Sequence, residues 1–371
     1  MANNTMSILF ASDSEGHLNE LTIHRTTASV PYGGRYRFID FALSNLVNGG
    51  VTTIGVVTRS NYNSLMDHIR MGRDWNLSRK YGGLTVFPPY GLNTLHEVYR
   101  GKIEALYSLR NFISSKKEEY IIVSNANIVC NVDLESIIDE HIAAGTDITV
   151  FTYLTDEINS RRTIITADAD GRITDLRFAV GSDKREQLVN MQIYLCKKDL
   201  LLNLVENAYA RGYVDFEKDI LLSKLDSLDI RSRRIDSYVA TIDDITGYYK
   251  HSMDLLDADV RNELFYSHGS ILTKVKDSVP TRYLENAKVK NSLIADGCEI
   301  DGTVENSILF RGVKVAKGAK VINSIVMENG EIMENAEIKY TITDKNVKVQ
   351  KERRLAGYES YPIVIVKDKI V

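Results

Sequence analysis

The most constraining feature of this chain is a repeat near its C-terminal end. Val304-Glu-Asn-Ser-Ile-Leu309 recurs as Val321-Ile-Asn-Ser-Ile-Val326 and, degraded, as Ile338-Lys-Tyr-Thr-Ile-Thr343, each copy 17 residues after the last. An earlier copy reads Val289-Lys-Asn-Ser-Leu-Ile294. Within these units an aliphatic side chain returns at a step of about six residues (Ile294 and Ile300, Leu309 and Val315, Val326 and Ile332), the spacing of a hexapeptide solenoid. Such a unit cannot bury its apolar side alone, so the copies must stack. The pattern predicts a parallel β-helix with three short strands per coil, one aliphatic of each turned inward, and Gly297, Gly312, Gly318 and Gly330 at tight corners. A run of antiparallel hairpins is the alternative, but it requires a period-two alternation that is weak here.

The preceding two thirds read differently. Short β-rich runs, Ser7–Ala11, Thr53–Thr58, Tyr120–Ser124 and Asp147–Tyr153, alternate with helical patterns over Arg37–Gly49 and Gly101–Ser114. That alternation predicts an α/β, Rossmann-like domain with a mostly parallel sheet and crossover helices. Fold class alone does not fix function.

Composition narrows the partners. With 46 basic against 50 acidic side chains and a formal net charge of −4, the chain lacks the basic excess that nucleic acid or an anionic membrane requires, so neither is expected. Cys130, Cys196 and Cys298 are far apart, odd in number and fit no zinc spacing, and they read as buried hydrophobes in a reducing compartment. With no basic N-terminal region and no apolar stretch of membrane-spanning length, a soluble, cytoplasmic protein is expected. All seven histidines (17, 24, 68, 96, 141, 251 and 268) precede the repeats, which argues against a histidine general base between the coils and hence against acyl transfer there.

The block Leu21–Arg25 through Val30-Pro-Tyr-Gly-Gly-Arg-Tyr-Arg-Phe-Ile-Asp-Phe-Ala-Leu-Ser-Asn45 resembles the opening of the glucose-1-phosphate adenylyltransferases (ADP-glucose pyrophosphorylases). Further matches are Tyr99–Gly101 with Glu104-Ala105, Met191–Tyr194, Asp215-Phe216 with Lys218-Asp219, and Tyr248–Lys250, so the likeness runs the length of the chain. It implies a nucleotidyltransferase domain over residues 1–255, a connecting segment over 256–282, and a left-handed β-helix of hexapeptide repeats over 283–371. It also implies a chemistry, attack of a sugar phosphate on the α-phosphorus of ATP, which needs a backbone cradle, cations and a carboxylate-held Mg²⁺.

Those parts are missing at the matching positions. Where the family pattern has A-G-G-x-G-x-R-L, this chain has Ala11-Ser-Asp-Ser-Glu-Gly-His-Leu18, so Ser12, Asp13 and Glu15 replace glycines and His17 replaces the arginine. Glycines let successive N–H groups converge on phosphate, and a carboxylate about 4 Å from one costs on the order of 4 kcal/mol at an effective dielectric of 20. Thr27 stands in place of a phosphate-binding lysine, Ala126 in place of a metal-binding aspartate, and Ala179 in place of the lysine that meets the sugar phosphate. The second metal ligand falls at Thr241, with Asp243 and Asp244 close enough to substitute. The resemblance therefore implies a catalytically inactive member of the regulatory type, with no catalytic residue and no cofactor. Its expected partner is a catalytic glucose-1-phosphate adenylyltransferase subunit, in a tetramer serving bacterial glycogen synthesis. The alternative is an active nucleotidyltransferase with a rebuilt site, using Mg²⁺ on Asp243 or Asp244. Arg25, Arg35, Arg37, Arg353 and Arg354 are candidates for an effector site taking a sugar phosphate, or are ordinary salt-bridge and surface residues. Asp215 and Phe216 are candidates for a residual sugar pocket or for structural roles.

Overall fold

The computed structural model describes residues 4–11, 18–89, 99–181 and 185–371. Nine strands form the N-terminal sheet: β1 (Thr5–Phe10), β2 (Thr53–Val57), β3 (Gly83–Phe87), β4 (Tyr120–Asn125), β5 (Ile148–Thr155), β6 (Thr163–Ala167), β7 (Ile173–Phe178), β8 (Gln187–Lys197) and β9 (Ile230–Arg234). Its centre, in the order β4-β1-β2-β3, is parallel throughout. β1, β2 and β4 are mostly apolar and buried along their whole length because both faces are covered, whereas β3 at the edge is only partly buried. On the β4 side the sheet turns antiparallel: β8 pairs with β4, β5 and β6, and its register with β5 breaks between Asn190 and Tyr194.

Helix α1 (Phe38–Asn48) matches the expected span, with Arg37 as its N-cap and the Asp40 side chain accepting the Arg37 backbone N–H at 3.0 Å. The predicted helix over 101–114 is two short helices, Lys102–Ser108 and Arg110–Ser114, broken at Leu109. After α2 (Ile245–Asp254) and α3 (Ala258–Tyr266) the chain runs extended to Arg282, where the coils begin.

The repeats stack as predicted, in the manner of a left-handed hexapeptide β-helix. Three parallel sheets of five strands each form its walls. The repeat positions are register partners: Val289 lies beside Val304, Val304 beside Val321, Val321 beside Ile338, and Ile338 beside Leu355. Gly297, Gly312 and Gly318 take the expected left-handed corner conformation, whereas at Gly330 the preceding Asn329, with φ of 59°, takes it instead. Asn291, Asn306 and Asn323 turn equivalent corners with φ of 43–45°, a role asparagine fills because its short polar side chain tolerates that region. Behind each of these, a serine hydroxyl accepts the backbone N–H of the next coil, Ser292 from Ser307 and Ser307 from Ser324, both at 3.1 Å.

Three of the four repeats carry two adjacent aliphatics, and the structure shows why. Leu309 and Val326 point into the solenoid, while their neighbours Ile308 and Ile325 point outward onto Phe38, Phe41, Tyr248 and Leu255 of the N-terminal domain. One wall of the β-helix is thus buried on both sides, and the two domains share a core. Tyr249 adds a hydrogen bond from its hydroxyl to the Asn323 carbonyl at 2.8 Å.

Candidate functional site

Two places merit inspection: the C-terminal ends of the parallel strands, where ligands bind in sheets of this kind, and the seam between the domains. At the first, Ser12, Asp13, Glu15 and His17 lie outside the described residues. Ala126 follows β4 with 1% exposure, its N–H donating to the Phe10 carbonyl at 3.0 Å. Thr27 is buried in a single 3₁₀ turn, and Ala179 donates its N–H to the Arg162 carbonyl at 2.9 Å. The Thr241 carbonyl accepts from the Arg162 guanidinium at 2.9 Å.

The two acids that could replace a metal ligand are engaged elsewhere. Asp243 accepts from the Asn127 amide at 3.0 Å through one oxygen and pairs with Arg162 at 3.1 Å through the other. Both members of that pair are largely buried, so binding a cation there would require expelling a guanidinium already in place. Asp244 caps α2 by accepting the Gly247 N–H at 2.8 Å, and lies 3.5 Å from Arg161.

Asp215 and Phe216 also have local duties. Asp215 accepts the Lys218 N–H at 2.8 Å, at the start of a π-helix over Glu217–Leu222. Phe216 is buried against the Tyr194 ring, centroids 4.9 Å apart. Asn125, the last residue of β4, joins a polar network. Gln192 donates from its amide to Glu217 at 2.7 Å and accepts from Asn125, while Glu217 also accepts from Tyr194 at 3.0 Å and from Thr163.

The seam is the electrostatic opposite. Arg35, Arg37, Lys274, Lys276, Arg311 and Lys345 line one pocket, together with a single carboxylate, Glu328. Arg37 donates to the Ser64 carbonyl at 2.7 Å. Lys276 and Lys345 both pair with Glu328, the latter at 2.8 Å. Burial alone would raise the Glu328 carboxyl, but the two lysines hold it down at about 2. Burial, with Arg37 nearby, lowers the Lys345 ammonium to about 8. A bound anion would favour the ammonium form and raise it again. At the back wall, buried Asp40 accepts from Thr273 at 2.6 Å and bonds His68 at 2.6 Å, and His68 packs edge-on against Trp75, the sole tryptophan of the chain.

Of the five arginines singled out from sequence, the structure brings Arg35 and Arg37 together at this pocket. Arg25 is fully committed: buried, it pairs with Asp344 at 2.9 Å across the domain seam and donates to the Leu21 carbonyl at 3.0 Å. Arg353 and Arg354 are exposed on a different wall of the β-helix, and the Arg354 side chain, 82% exposed, stands 4.0 Å from Glu337. Sequence reasoning missed Lys274, Lys276, Arg311 and Lys345, since each is an isolated cation in its own segment and convergence is a property of the fold.

The nucleotidyl transferase family signature covers residues 8–237, and a second, described as GlmU-like C-terminal hexapeptide, covers 278–360. Fold and signatures together define a sugar-nucleotidyltransferase scaffold carrying a hexapeptide β-helix. More narrowly, the chain belongs to the glucose-1-phosphate adenylyltransferase family. It is 35% identical over 369 residues to the glycogen biosynthesis protein GlgD of Bacillus subtilis (strain 168), covering 99% of this chain and 97% of that one. It is 34% identical to the GlgD of Geobacillus stearothermophilus, covering 86% and 83% of the two chains. To the glucose-1-phosphate adenylyltransferase of that organism it is 30% identical, again over 86% and 83%. Among the described residues no helix is long and apolar enough to cross a membrane.

Proposed function

We propose that this chain is a non-catalytic, cytoplasmic regulatory subunit acting in glycogen biosynthesis. It assembles with a catalytic glucose-1-phosphate adenylyltransferase subunit, as a tetramer, and modulates it. The observation that carries this reading is the state of the metal position: alanine at 126, with the nearest substitute, Asp243, held by Arg162 and Asn127. Without a carboxylate-held Mg²⁺ the charge of a triphosphate goes unneutralised, and several kcal/mol of transition-state stabilisation is lost. The rebuilt-site alternative depends on those same acids and is weakened by the same contacts. The basic seam pocket, meanwhile, suits a phosphorylated sugar effector, whose dianion would take donors from Arg35, Arg37 and Lys345 in the bidentate and point-charge manner of phosphate sites.

The test is co-purification with the catalytic subunit, followed by its assay with and without this chain across a range of sugar phosphate. Co-elution and altered kinetics are expected; independent elution with unchanged kinetics would sink the proposal.

A further inference from the structure

Gln192 sits inside β8 with φ of +58°, in the left-handed region that favours glycine, at the point where the strand loses register with β5. Strained conformations of this kind persist only where the surroundings over-determine them. Here they do. The Gln192 backbone N–H donates to Asn190 at 2.7 Å, its amide nitrogen donates to Glu217 at 2.7 Å, and its amide oxygen accepts from Asn125 and lies 3.5 Å from the Lys102 ammonium.

Glu217 is the second half of the arrangement. It is 5% exposed and opens the π-helix, an irregularity found disproportionately at functional sites. Its carboxylate is held by the hydroxyls of Tyr194 and Thr163 and by the Gln192 amide. The cluster gathers at Asn125, the last residue of β4, at the C-terminal end of the parallel strands. A carboxylate, carboxamides and hydroxyls converging at such a place are the donors and acceptors that bind the hydroxyl groups of a sugar ring. In this chain Gln192 and Glu217 are bonded to one another.

We propose that Gln192 is an internal plug, its carboxamide occupying from within a polar pocket between β4, β8 and the π-helix that would otherwise accept a pyranose. The pocket is then stoppered rather than erased. This rests on the reading of the cleft as non-productive and specifies how the sugar side of it is closed. It is separable from the subunit proposal, because sugar binding by variants of the isolated chain makes no use of a partner.

The experiment is ligand-observed NMR of the full-length chain with D-glucose, a neutral probe to which the basic seam pocket offers no phosphate interaction. Gln192→Gly is the opening variant, since glycine accepts φ of +58° without a Cβ. The wild-type chain is expected to show no saturable signal to tens of millimolar (roughly the limit of weak binding). Q192G is expected to gain saturable binding by at least tenfold, and Q192G with Glu217→Ala is expected to lose it. Should Q192G fail to fold by thermal melt, Gln192→Asn, shorter and tolerant of the same φ, takes its place with the same expected gain. Equal binding by wild type and variant, or no gain in a folded variant, would overturn the proposal.

Discussion

The cleft at the strand ends and the pocket at the domain seam are both places where a phosphorylated ligand could sit, and they have been treated in opposite ways. In the cleft the acids that could meet a cation or a sugar are already engaged: Asp243 with Arg162, Asp244 with a helix end, Glu217 with Gln192. At the seam six cations and one carboxylate line the pocket, Arg311 pairing with Asp296 at 3.1 Å and Glu328 shared by Lys276 and Lys345, and Lys345 is depressed to about 8 chiefly by burial. A site meant for an anion keeps uncompensated charge.

The contrast can be broken at several points. The largest effect should come from the clamp that holds the seam together. Arg25→Met leaves Asp344 buried without its guanidinium, which should cost about 3–5 kcal/mol in chemical denaturation. A loss below about 1 kcal/mol would mean that the domains are held by the shared apolar core alone. Next comes the pocket itself. Arg37→Ala or Lys345→Ala should weaken binding of a phosphorylated sugar by about 10- to 100-fold, one charge-assisted hydrogen bond being worth about 1.5–3 kcal/mol. The fluorescence of Trp75, in contact with His68 on the pocket lining, supplies the readout.

Acidity sharpens the same point. With the Lys345 ammonium at about 8, the wild-type affinity for a sugar phosphate should fall as pH rises from 7 to 9, and the fall should vanish in Lys345→Arg. The smallest effect lies away from both sites. His251 is buried, which would lower its pKa, but hydrogen bonds to Asp254 and Glu157 raise it above the usual 6.5. Its contribution to stability is therefore fully present below pH 6.5 and is lost as pH rises through the raised value. Glu157, held down at about 2 chiefly by His251, contributes above pH 4.5 and loses that contribution as pH falls toward 2. The melting temperature should show a shallow maximum between pH 4.5 and 6.5 that flattens in His251→Phe.

Much of this was legible in the chain itself. The 17-residue repeat gave the register of the β-helix to the residue, since each copy must stack on the last, and the apolar runs gave the parallel centre of the sheet. The adjacent pairs Ile308-Leu309 and Ile325-Val326 also carried the signal that one wall is buried on both sides, a signal readable only once the strands are known. Arg353 and Arg354 misled because a three-walled solenoid presents neighbouring segments to different sides, and closeness to the end of the chain says nothing about which wall faces the seam. Gln192 lies within the Met191–Tyr194 match, but nothing in the sequence singled it out. Its role comes from a backbone conformation, and no pattern of residue types encodes that.

The central claim is that the cleft does not take a magnesium nucleotide. Isothermal titration of the isolated chain with ATP, in the presence and absence of Mg²⁺, tests it most directly. The predicted result is no Mg²⁺-dependent binding, with any residual heat abolished by Arg37→Ala and therefore belonging to the seam. Tight Mg²⁺-dependent binding that is lost in Asp243→Asn and retained in Arg37→Ala would contradict it.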